Sequence, residues 1–119
     1  MEKISLSKKF NLFNDHWSPK IIGDLNGQHV KLAKLKGEFV WHSHEHEDEM
    51  FFVVKGQLKI EFRDKTVVLN EGEMIIVPRG VEHNPIAEEE VHLMLFEPAN
   101  IKHTGDVDHE LTVKNYESI

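Results

Sequence analysis

The chain has no cysteine, no long apolar run and no excess of basic residues. Without cysteine, disulfides, thiolate-bound metals and a cysteine nucleophile are all excluded. No apolar stretch approaches the length needed to span a bilayer. The opening residues, Met1-Glu2-Lys3-Ile4-Ser5, lack the apolar core of a secretion signal. Together these absences lead us to expect a cytoplasmic protein. Fourteen Lys and Arg stand against 21 Asp and Glu, a net charge of −7, so neither a nucleic acid nor an anionic membrane is the expected partner.

What remains is 119 residues, 39% apolar and 29% charged, enough for one domain with a single core. Residues 1–27 read as an N-terminal arm with Phe10, Leu12, Phe13 and Trp17 as scattered apolar anchors. Residues 28–98 read as short strands separated by turn signals, and 99–119 as a polar tail with a turn at Thr104-Gly105-Asp106. In the central stretch Val30 to Leu35, Phe39 to His44, Met50 to Val54, Leu58 to Phe62, Thr66 to Leu69 and Met74 to Val77 are expected strands. A short strand around His83 and another from Val91 to Phe96 follow. Strands of this spacing with glycine at the corners imply an all-β antiparallel sandwich or barrel. Helical spacing is faint, confined to the N-terminal stretch and to Val113 to Glu117.

Nine histidines are the compositional oddity, several of them crowded between Trp41 and His46. Alternate side chains of a strand share a face. His42 and His44 would then project together, about 6.5–7 Å apart at the backbone. A charged bend, Glu45 to Asp48, turns the chain so that Glu49 can enter from the next strand, and the Pro78-Arg79-Gly80 corner can bring in His83. Imidazoles with a carboxylate suit one divalent transition metal (Zn, Fe, Mn, Ni or Co) and leave open positions on it. Taken singly, each histidine reads more simply as a surface or hydrogen-bonded residue; it is the set that points to a metal. The same alternation places Phe39 and Trp41 outward, where either the arm or a second subunit must cover them. A homodimer is therefore expected.

Two segments carry a family pattern: Gly37-x4-His42-x-His44-x4-Glu49-x6-Gly56 and Gly72-x5-Pro78-x-Gly80-x2-His83. They resemble the two motifs of the cupin superfamily, whose barrel is a double-stranded β-helix, or jelly roll. The first departs by one residue in its Gly-to-His spacing, and the second has Ala87 where the family has Asn. The resemblance implies His42, His44, Glu49 and His83 as metal ligands. His46 then reads as a rim residue, Asp48 as solvated in the bend or hydrogen-bonded to a ligand, and Arg79 as a solvated corner or a residue at the pocket mouth that could attract an anionic ligand. His92 is left as either a pocket wall or a surface residue. Trp41-His42-Ser43-His44, Val77 to His83, Leu95-Phe96-Glu97-Pro98 and Thr104-Gly105-Asp106-Val107 further resemble small single-domain bacterial cupins described as mannose-6-phosphate isomerase-like. That resemblance implies a small-molecule ligand and either a metal-dependent isomerase or dioxygenase or a non-catalytic sugar- or acid-binding module, with no catalytic base marked.

Overall fold

The computed structural model describes residues 1–99, 104–105, 109–113 and 115–119. One short helix, α1 (Leu6–Phe10), precedes eight strands: β1 (Lys20–Leu25), β2 (Gln28–Glu38), β3 (Glu49–Lys55), β4 (Leu58–Phe62), β5 (Thr66–Leu69), β6 (Met74–Val77), β7 (His83–Pro98) and β8 (Glu117–Ser118). The strands are ordered β5-β4-β7-β2-β1-β8, with β3 lying between β6 and β7. The fold is an all-β jelly roll. Among the described residues no helix is long and apolar enough to cross a membrane.

The expected strands at His83 and at Val91 to Phe96 are one continuous strand, β7. Its start pairs with β4 (Phe62 opposite His83) and its end with β3 (Met50 opposite Phe96), while β2 runs antiparallel along most of its length. Glu88, Glu89 and Glu90 in the middle are exposed, where the strand passes from one half of the barrel to the other. Of the two faint helical signals, the N-terminal one is α1, and among the described residues no helix stands at Val113 to Glu117. Glu117 and Ser118 instead add a parallel strand to β1, opposite Lys20 and Ile21, and Lys114 lies outside the described residues. Thr104 and Gly105 sit in a turn; Asp106 and Val107 lie outside the described residues.

Alternation decides what the barrel encloses. Glu49, Phe51 and Val53 of β3 are buried while Met50, Phe52 and Val54 are only partly so. On β7, Val91, Leu93, Leu95 and Glu97 are buried and their neighbours half-exposed. These inward residues join Ala33, Leu35, Leu58 and Ile60 in the main core. A second, smaller cluster forms outside the barrel, where Phe10 and Phe13 of the arm cover Leu32 of β2.

The segment from Phe39 to His44 departs from the expected strand. Only His42 makes a β-bridge, to His83, and Phe39 N–H donates separately to the Pro85 carbonyl. With no continuous ladder between them, strict alternation fails. Phe39 consequently turns inward, 8% exposed, its ring edge-on to His42 at 5.5 Å. Trp41 is half-buried beneath the Arg63 guanidinium, 3.9 Å from its ring. The arm reaches Phe39 through Trp17, whose indole stacks on it at 4.5 Å and 7°. The aromatic pair expected to face outward is thus not a surface that needs a second subunit.

Two glycines at tight turns separate two physical costs. Both Gly56 (φ 93°) and Gly72 (φ 82°) hold left-handed backbone, which costs other residues about 1–2 kcal/mol. A Cβ at Gly56 would also lie 2.9 Å from the Glu90 carbonyl oxygen of β7, whereas one at Gly72 meets nothing within 4 Å. Gly72→Ala should therefore lose only about 1–2 kcal/mol in urea unfolding, and Gly56→Ala clearly more. Equal losses would contradict this packing of the β3–β4 turn on β7.

Candidate metal centre

His42, His44, Glu49 and His83 come together inside the barrel. One ligand atom from each lies within 4.8 Å of all the others, and the four residues are 3%, 4%, 2% and 0% exposed. His42 and His83 are clamped through their backbones, each N–H donating to the other's carbonyl at 3.0 and 2.9 Å. His44 is fixed by its carbonyl, which accepts from Gly80 N–H at 2.8 Å. Glu49 enters as the first inward residue of β3, opposite Val77. The Pro78-Arg79-Gly80 corner is held in turn by Asp48, whose Oδ1 accepts from Arg79 N–H at 2.9 Å. Asp48 therefore braces the loop carrying the histidines, and among the described residues its carboxylate meets Arg79 rather than an imidazole.

The imidazole tautomers follow from their neighbours. His42 Nδ1 and His83 Nδ1 each lie 2.9 Å from a carbonyl oxygen two residues back, those of Val40 and Val81. A carbonyl only accepts, so both Nδ1 atoms carry a proton, and in a neutral ring of this tautomer Nε2 is the atom that offers a lone pair. His44 Nε2 and His83 Nε2 stand 3.3 and 3.5 Å from Glu49 Oε1, yet among the described residues all three atoms are buried without a properly formed hydrogen bond. Leaving a buried polar atom unsatisfied costs about 1–3 kcal/mol. Three such atoms facing one point fit a divalent cation, which accepts lone pairs from nitrogen and oxygen at once.

Electrostatics reinforce the fit. Burial, helped by the neighbouring His83, lowers His42 to about 4, so its ring is neutral at pH 7. Burial works against ionising Glu49, but polar contacts with Glu97, His44 and His83 outweigh it and hold Glu49 well below the usual carboxylate range. A carboxylate and neutral imidazoles are the protonation states that ligation requires.

Other residues singled out from sequence fall outside the cluster. His46 is exposed, its Nε2 3.8 Å from Glu45, at the rim. Arg79 is a solvated corner, its Nε 3.6 Å from Asp48. His92 stacks on Phe10 at 4.4 Å and approaches Glu90 at 3.3 Å, which places it under the arm on the outer face rather than against the centre. Two interior residues gave no functional signal from sequence: Lys31 and Glu97. Their side chains are 0% exposed and paired at 2.9 Å, with the Lys31 ammonium 3.7 Å from the Tyr116 ring centroid. Burial and the charge of Glu49 push Glu97 well above the usual carboxylate range, against the pull of Lys31. Each interrupts an otherwise apolar inward face, Lys31 beside Ala33 and Leu35, Glu97 beside Leu93 and Leu95. That interruption is the signal that could have found them.

These features define a class: a small jelly-roll barrel closed around a buried cluster that could hold a metal. The chain belongs to the cupin family, and the cupin domain model matches residues 28–98. A cupin-2 domain protein from Shewanella frigidimarina is 50% identical, with a TM-score of 0.79 over 80% of this chain and 93% of that one. Protein NMB1881 from Neisseria meningitidis is 34% identical, with a TM-score of 0.75 over 82% of this chain and all of that one. The uncharacterized protein YdbB of Bacillus subtilis is 41% identical over 63 residues, 52% of this chain and 56% of that protein.

The lowered His42 has a consequence for stability. Its unfolded-state value is near 6.5 and its folded value about 4. Between these the unfolded chain binds a proton that the folded chain refuses. This contribution is complete above pH 6.5 and shrinks as pH falls towards 4. It adds up to about 1.4 kcal/mol per pH unit to the slope of stability against pH in that window. In metal-free protein, His42→Gln should remove this increment, as denaturant titrations at several pH values would register; an unchanged slope would refute the buried neutral assignment.

Proposed function

We propose that His42, His44, Glu49 and His83 bind one divalent transition metal (Zn, Fe, Mn, Ni or Co), and that the protein is a metalloenzyme acting on a small oxygenated metabolite. The observation that carries this reading is the convergence of four buried ligand atoms, three of them without a hydrogen-bond partner. When bound, such an ion supplies Lewis acidity towards an oxygen donor of the ligand. The chain's own contribution is to fix the His42 and His83 rings through the Val40 and Val81 carbonyls, to hold His42 neutral by burial, and to keep Glu49 ionised. Lys31 and Glu97 give the interior further acid–base capacity, which favours a proton-moving reaction of isomerase type; a dioxygenase type would need Fe and O₂. The mannose-6-phosphate isomerase-like grouping belongs to this proposal and rests on the motif residues alone.

Protein purified without chelating resin should carry about one metal per chain, and His44→Ala should lower the affinity by about tenfold or more. Undiminished metal in that variant would sink the ligand assignment. Turnover of sugar phosphates, keto acids or diketones that survives complete metal removal would contradict the metalloenzyme reading.

The proposal extends to a homodimer and to a small-molecule ligand rather than nucleic acid, given the net charge of −7. Support for the dimer lies on the outer face of β6, β3 and β7. Registered rows there run Ile76–Met50–Phe96 and Met74–Phe52–Met94, and Met74 and Ile76 are 48% and 57% exposed. Such a contiguous apolar face is unusual on a monomer. Light scattering should give a dimeric mass for the native chain and a monomeric one for Ile76→Glu; a monomeric native chain would refute it.

A further inference from the structure

Beside Glu49 lies a small, partly open apolar cavity of about 30 Å³, with Trp17, Ala33, Leu35, Phe39 and Leu93 among its walls. Glu49 is its one charged wall. It belongs both to this cavity and to the four-residue cluster, so the two spaces adjoin. Wall chemistry determines what the cavity suits. Water there would find almost no partners, whereas an alkyl group would meet apolar surface on nearly every side.

The wall contributed by Trp17 is held there at a cost. Trp17 has φ 58°, a conformation that bulky side chains seldom adopt and that persists only where surrounding structure enforces it. Two hydrogen bonds enforce it here: Trp17 N–H donates to the Lys34 carbonyl at 2.9 Å, and the indole Nε1–H to the Lys36 carbonyl at 2.9 Å. The neighbouring chain is pinned as well, by buried Lys34 Nζ on the Phe13 carbonyl at 2.7 Å and by His16 on Glu90 at 2.7 Å. Strand β2, which supplies Ala33 and Leu35 to the cavity, thus also fixes the indole that closes it. Packing of the arm on the barrel would not by itself require a strained tryptophan at this point, since Phe10 and Phe13 already cover β2 from outside.

We propose that Trp17 is a specificity-determining residue, and that the cavity takes the short apolar substituent of a small oxygen-donor ligand whose oxygen is held at the four-residue centre. This rests on the metal-binding reading above. The volume admits about two water-sized groups, which selects an unbranched substituent of about two carbons and excludes branched, aromatic or polar ones. Trp17 and Ala33 are two of the walls that set the limit.

The test uses the cobalt(II)-loaded full chain and straight-chain monocarboxylates from formate to hexanoate as probes, read by the visible cobalt spectrum. In the native protein, affinity should rise about fourfold per added carbon, the worth of one buried methylene, through propionate and then fall. Trp17→Leu should move the optimum to longer acids, and Ala33→Val, which adds bulk at another wall, should abolish the gain from formate to propionate. Either variant suffices if the other does not fold, and circular dichroism monitors folding of both. The same chain-length profile in a folded variant as in the native protein would overturn the proposal. Failure of the native chain to bind cobalt would instead overturn the metal reading, and this inference with it.

Discussion

The reciprocal main-chain hydrogen bonds between His42 and His83 tie the loop after β2 to the start of β7, beyond the point where the β2–β7 ladder stops at Glu38 and Ile86. Residues 39–48 form no continuous strand, so the loop carrying two of the four candidate ligands owes its position to this bridge, to Phe39 on Pro85, and to Gly80 on His44. Were the loop displaced by even an ångström, the lone pairs of His42 and His44 would no longer share a focus with Glu49 and His83. The Asp48 carboxylate on Arg79 N–H fixes the same corner from its exposed side. The geometry of the centre is thus a property of the backbone first and of the side chains second.

A cluster of this kind is expensive to keep in a core. Its neighbours include Phe51, 5.8 Å from the His83 ring, and Phe62 at 6.4 Å, which offer no hydrogen bonds. Proteins tolerate buried polar groups where partners compensate them. Here the Nδ1 atoms of His42 and His83 are compensated by carbonyls, while the atoms facing the focus are not. This pattern of satisfied outer atoms and unsatisfied inner ones suits a cluster that could hold a metal, whereas in a purely structural histidine network both ring nitrogens would be bonded. Lys31 and Glu97 differ in kind: Lys31 pairs with Glu97 Oε1, while Glu97 Oε2 is left buried without a properly formed hydrogen bond among the described residues.

Much of this was legible in the sequence, and the failures have identifiable causes. The inward faces of β3 and β4 could be read from alternation because regular ladders enforce it. The four clustered residues could be read because two motifs, with their glycines and proline, place them at fixed offsets. Phe39 could not, because period two holds only while a strand continues, and nothing local showed that the ladder lapses at this point. The continuity of β7 was hidden by Glu88-Glu89-Glu90, which look like a loop and are the exposed crossing between two halves of one strand. Trp17 read as one apolar anchor among several, since its left-handed backbone is imposed by carbonyls of β2 that are remote in sequence.

The length of β7 bears on how the molecule folds. This strand begins at His83, ends beyond Glu97, and is the partner of β2, β3 and β4, so neither half of the barrel can close before it docks. The pairings involved are long-range: Glu97 lies opposite His29 and Ile86 opposite Glu38. Topologies dominated by such contacts fold on the slow side, in about milliseconds to seconds. No partly folded form lacking β7 could assemble the His42–His83 bridge, so a ligand at the centre would recognise only the completed barrel. Its effect would fall on the rate of opening rather than on the rate of assembly, making the occupied molecule persistent without making it quicker to form.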